Sequence, residues 1–72
     1  MKVVSEITGQ EYEAEECLFI PNMLQNFKYL KTGLATQELV DIVCGENDKL
    51  IFVWKKSPLM SQLYDLWCKH EL

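Results

Sequence analysis

Leu39-Val-Asp-Ile-Val-Cys-Gly-Glu-Asn-Asp-Lys-Leu-Ile-Phe-Val-Trp-Lys55 is the stretch on which the fold turns. Residues 38 to 44 read as one strand, with Val40, Ile42 and Cys44 on one side, and residues 50 to 55 read as a second, with Leu50, Phe52 and Trp54 on one side. Between them Gly45-Glu-Asn-Asp48 has the residues that a hairpin with a longer loop uses to reverse direction. Leu39 and Val43 oppose Val40 and Ile42, and Ile51 and Val53 oppose Phe52. Both faces are therefore apolar, which places this hairpin at the centre of a sheet.

On the C-terminal side, Ser57 is a helix N-cap and Pro58 occupies the first helical position, where its fixed φ helps and its missing N–H costs nothing. Leu59, Leu63, Leu66 and Trp67, with Met60 and Tyr64 alongside, form an apolar stripe to about His70, so a helix is expected to lie against the hairpin. On the N-terminal side, Asn22 with Gln25 three residues on has the spacing of a capping box. Met23, Leu24, Phe27, Leu30 and Leu34 follow at helical spacing and Gly33 can close the turn, predicting a helix over residues 23 to 32. Phe27, Phe52, Trp54 and Trp67 fall on the predicted inward stripes, and Tyr12, Tyr29 and Tyr64 at their edges.

Residues 2 to 7 are rich in branched side chains, Thr8-Gly9-Gln10 suits a turn, and Glu11-Tyr-Glu-Ala14 alternates again, so an N-terminal hairpin is expected. Residues 14 to 19 fit a strand or a short helix equally well. The expected fold is α+β, a small antiparallel sheet of two hairpins with two helices in the order ββαββα. It forms a single domain over residues 1 to 72, made of an acidic hairpin module (1 to 20) and a helix-hairpin-helix portion (21 to 72).

With 72 residues the chain has a small core, because a domain of this size buries only about 60% of its unfolded surface. Its composition, 49% apolar and 25% charged, is that of a folded globule rather than a disordered chain. The net charge of -4 lies entirely in residues 1 to 20, where Lys2 stands against Glu6, Glu11, Glu13, Glu15 and Glu16; the remainder balances. All seven basic residues are lysines, so no side chain offers bidentate recognition of guanine, and the acidic total gives no general attraction to phosphate. Direct nucleic-acid binding is disfavoured on these grounds.

Cys17, Cys44 and Cys68 are too widely spaced and too few for a disulfide framework, and no C-x-x-C motif occurs, so neither disulfide, metal nor other cofactor is expected. Cys68 and His70 would sit about 200° apart around a helix, too divergent to share an ion or to act as nucleophile and base. No glycine-rich phosphate loop or helical metal motif is present, and the chain reads as a non-enzyme. Without a signal-peptide pattern or a run of about 20 apolar residues, no membrane association is expected and the cytoplasm is the expected location.

The segments Ile20-Pro-Asn-Met-Leu-Gln-Asn-Phe-Lys-Tyr-Leu-Lys-Thr-Gly33, Asp48-Lys-Leu-Ile-Phe-Val-Trp-Lys-Lys56 and Leu63-Tyr-Asp-Leu-Trp-Cys-Lys-His-Glu-Leu72 resemble small proteins encoded by phages and integrated mobile elements of Gram-positive bacteria. Ile7-Thr-Gly-Gln-Glu-Tyr-Glu13 is similar to other short phage reading frames. The resemblance implies a bacterial host cytoplasm as the setting, and no mechanism.

Together these features point to a non-enzymatic binding protein that inhibits or redirects a host protein. A nucleic-acid-handling defence enzyme is the candidate partner, which would make the chain an anti-CRISPR-type inhibitor. The expected partner surface is Glu11, Tyr12, Glu13, Glu15 and Glu16. On a strand, Glu11, Glu13 and Glu15 would form a row with spacings of about 6.6 to 7 Å, from the strand rise. The bland alternative is a charged edge that only guards a hairpin against aggregation. A different class of function is a small DNA-contacting regulator using Lys28, Lys31, Lys55 and Lys56.

Overall fold

The computed structural model describes residues 1 to 72 and has the expected α+β class. Strands β1 (Lys2–Val4) and β2 (Glu11–Glu13) form the N-terminal hairpin, as a separate two-stranded sheet. A short 3-10 turn, Ala14–Glu16, leads into β3 (Cys17–Ile20), helix α1 (Met23–Lys31), β4 (Leu39–Cys44), β5 (Leu50–Lys55) and helix α2 (Pro58–Cys68). The expected order ββαββα is thus corrected by one strand. Residues 17 to 20, compatible with either state on local grounds, pair antiparallel with β5 from Cys17↔Lys55 to Ile20↔Phe52. The three-stranded sheet runs β3-β5-β4, so β5 is its centre and β4 an edge.

Local signals hold at both helix starts. Asn22 Oδ1 accepts from the Gln25 N–H at 3.1 Å, and Ser57 Oγ accepts from the Met60 N–H at 3.2 Å. Gly33 follows α1 at φ +72, a left-handed conformation that costs glycine least.

The sheet separates two apolar layers. On one face Ile20 and Trp54 meet Tyr29 of α1 and Met60 and Leu63 of α2, with Leu59, Leu66 and Trp67 packed alongside. On the other, Cys17, Val40 and Val53 meet Tyr12 of the hairpin, with Val3 and Val43 beside them. A bulge between Leu39 and Asp41 breaks the alternation in β4, so Val40 and Asp41 are both buried.

Helix α1 departs from its expected orientation. Phe27, expected inside, is 57% exposed, as are Met23, Leu24 and Leu34 to similar degrees, whereas Gln25, Asn26 and Tyr29 are buried. Tyr29, expected at a stripe edge, is 0% exposed. The reason is polar: the Trp54 indole Nε1–H, enclosed in the core, donates to Asn26 Oδ1 at 2.8 Å, and Asn26 Nδ2 donates to the Ile20 carbonyl at 2.9 Å. Gln25 Nε2 donates to the Tyr29 hydroxyl at 2.8 Å, and the Tyr29 ring meets Trp54 edge to face at 5.5 Å. A buried indole N–H without an acceptor is costly, and α1 supplies that acceptor only by turning its amide face inward.

Candidate functional site: the acidic hairpin and its cleft

The hairpin is tied to the sheet by one buried carboxylate. Asp41, on edge strand β4, accepts from Ser5 Oγ at 2.6 Å and from the Tyr12 hydroxyl at 2.7 Å. Its Oδ1 also accepts from the Ile42 N–H at 2.8 Å. Ser5 sits where the chain leaves β1, and its hydroxyl also accepts from the Ile7 and Thr8 N–H groups, so the turn and the docking contact share one atom. No buried side-chain nitrogen or oxygen in the molecule lacks a partner. Asp41 and Ser5 were not legible as positioning residues: a lone aspartate inside a strand pattern gives no local indication of what it will meet.

Tyr12 is corrected by this arrangement. Expected at a stripe edge, it is 8% exposed and faces the sheet, where it anchors the hairpin. Burial, reinforced by the bond to Asp41, pushes its hydroxyl pKa up to about 12, so it stays a neutral donor.

The expected row of glutamates is corrected as well. The strand ends at Glu13 and the 3-10 turn takes Glu15 and Glu16 out of register. Glu15 turns back to the N-terminal ammonium of Met1, which also lies 3.4 Å from Glu13 Oε2. The hydrogen bond to that ammonium lowers the Glu15 pKa and, reciprocally, raises that of the amino group. Glu11 lies 3.6 Å from Lys2 Nζ. Exposed pairs of this kind add little to stability and are screened by salt.

Glu11, Glu13 and Glu16 are nevertheless brought together around a cleft of about 400 Å³, whose lining includes Lys2, Tyr12, Cys17, Val40 and Lys55. Three carboxylates and two ammonium groups at an open cleft form a polar surface, unlike the enclosed apolar cavities that hold small ligands. Lys2 could have been placed there from the hairpin alone, since a two-stranded pairing sets it opposite Glu13. Lys55 could not, because its position depends on β3 pairing with β5.

Cys17 lies beneath the hairpin; burial, with Glu16 nearby, pushes its thiol pKa up, which keeps it an unreactive thiol. Cys44 and Cys68 are exposed, and no three His, Cys, Asp or Glu side chains converge as a metal site would require. The four lysines of the DNA-contact alternative are divided. Lys55 lines the acidic cleft and Lys56 Nζ donates to the Glu15 carbonyl at 2.9 Å, while Lys28 Nζ on α1 donates to the Leu72 carbonyl at 3.0 Å and Lys31 is exposed on the same helix. No helix is long and apolar enough to cross a membrane.

No known family, curated protein or solved structure matches the chain.

Proposed function

We propose that the chain is a non-enzymatic binding protein of a phage or mobile element, one that inhibits or redirects a host protein through the acidic face of its N-terminal hairpin. The observation that carries this reading is the gathering of Glu11, Glu13 and Glu16 around one open cleft on a hairpin joined to the sheet by the Asp41 contacts. An acidic cleft anchored on a packed scaffold suits the basic side chains of a partner, such as those lining a nucleic-acid channel of a defence enzyme. It would act by occupying that channel and by accelerating encounter.

The partner is to be recovered by pull-down from host lysate and its binding kinetics measured against ionic strength. Converting Glu11, Glu13 and Glu16 together to glutamine should slow association roughly tenfold at low salt and flatten its salt dependence, within the range that electrostatic steering spans. The melting temperature should barely move, since these groups make only exposed pairs. Equal on-rates and salt slopes for wild type and variant would defeat this reading.

A further inference from the structure

The outer face of α1 is the least expected surface of the molecule. At 100° per residue, Met23, Leu24, Phe27 and Lys31 share one side of the helix, with Gln25, Asn26 and Tyr29 roughly opposite. Met23, Leu24 and Phe27 are 45%, 56% and 57% exposed, and Leu34, just past the helix end, is 66% exposed. Single exposed apolar residues need no explanation, but a stripe at helical spacing on so small a protein is the pattern of a docking surface. The molecule cannot bury this stripe by rolling α1, because doing so would withdraw Asn26 from both Trp54 and Ile20.

The charge around the stripe selects what fits it. Residues 21 to 37 contain Lys28 and Lys31 and no acid, within a chain whose net charge is -4. Lys31 is exposed, and Lys28, half-buried beside it, donates to the Leu72 carbonyl at 3.0 Å. A second copy would place the same acid-free, lysine-bearing segment on both sides of the contact and bring two bodies of charge -4 together. An acidic-flanked helix instead sets opposite charge against these lysines at the contact itself, where the interaction is least screened. Helix-on-helix packing is the geometry that an exposed helical stripe accepts, with anchors at i, i+3, i+4 and i+7.

We propose that the outer face of α1, with Met23, Leu24 and Phe27 at its centre and Lys31 on its rim, docks an amphipathic helix of a partner protein whose apolar stripe is flanked by aspartate and glutamate. The proposal does not depend on the role of the acidic hairpin. The helices cover one face of the three-stranded sheet and the hairpin the other, so the molecule has two binding faces of opposite charge on opposite sides.

The probe is a fluorescently labelled synthetic helix of about 18 residues, long enough to hold a helical conformation, with leucines at that spacing and glutamates on the flanks. A second peptide carries glutamines in place of the glutamates. The full chain should bind the glutamate-flanked peptide saturably, more weakly as salt rises, and several-fold more tightly at low salt than the glutamine-flanked one. Phe27→Asp should abolish binding without lowering the melting temperature, since Phe27 lies outside both core clusters. Lys31→Glu should reverse the preference between the two peptides. The glutamine variant of the hairpin should bind the peptide as wild type does, which separates this surface from the acidic cleft.

Several results would overturn the proposal. They are no saturable binding of the glutamate-flanked peptide, equal affinity for both peptides, or unchanged binding by Phe27→Asp. A dimer by sedimentation that Phe27→Asp dissociates would assign the face to a second copy, and binding to vesicles rich in anionic lipid that Phe27→Asp abolishes would assign it to a membrane surface.

Discussion

Trp54→Ala is expected to lower stability by about 3–5 kcal/mol, the scale for emptying a buried aromatic site, and so to leave this small domain largely unfolded. Trp54 is 0% exposed on the central strand, meets Tyr29 edge to face and stacks on Phe52 at 6.5 Å. Its N–H bond to Asn26 also sets the rotation of α1. Trp54→Phe separates the two contributions. Much of the ring volume remains while Asn26 loses a buried donor, at a cost of about 1–3 kcal/mol. Urea melts followed by circular dichroism measure both. By spacing alone Trp67 is the equal of Trp54 as an inward aromatic, but it is only half-buried, and Trp67→Ala should cost clearly less. Equal losses from Trp54→Ala and Trp67→Ala would contradict this placement of the core.

Asp41→Ala is expected to release the N-terminal hairpin from the sheet. The substitution strands the Ser5 and Tyr12 hydroxyls, both on buried residues, and each such loss costs about 1–3 kcal/mol. Amide exchange of residues 2 to 13 should then accelerate far more than that of β5, because the hairpin is a separate two-stranded sheet held by these bonds and the Tyr12 contact. If hairpin and sheet lose protection together, the Asp41 contacts are not what joins them.

The same contacts give an alkaline signature. The folded state holds the Tyr12 proton up to about pH 12, against the ordinary tyrosine value of 10, so the stability this contributes is complete below pH 10 and is lost as pH rises toward 12. Burial raises the Tyr29 pKa in the same direction. Tyr12→Phe should therefore remove part of the alkaline destabilisation and leave the share due to Tyr29. A pH dependence of stability identical in wild type and Tyr12→Phe would count against the buried placement of Tyr12.

Residue chemistry within a few positions determined much of this protein. The α+β class, the N-caps Asn22 and Ser57, the hairpin of residues 39 to 55 and the acidic character of the first twenty residues all follow from interactions spanning a turn or two of chain. Tertiary structure decided what those elements face. Residues 17 to 20 became a strand because the outer edge of β5 offered hydrogen-bond partners that residues 14 to 16 do not use. Periodicity identified the apolar side of α1 correctly but not its direction. That was decided by the Trp54 N–H, 28 residues away, which needs an acceptor once it is buried. Tyr12 turned inward for the same kind of reason, drawn to Asp41 29 residues on. Local propensity sets the form of an element. Which face it buries depends on satisfying polar groups that only the folded chain brings within reach.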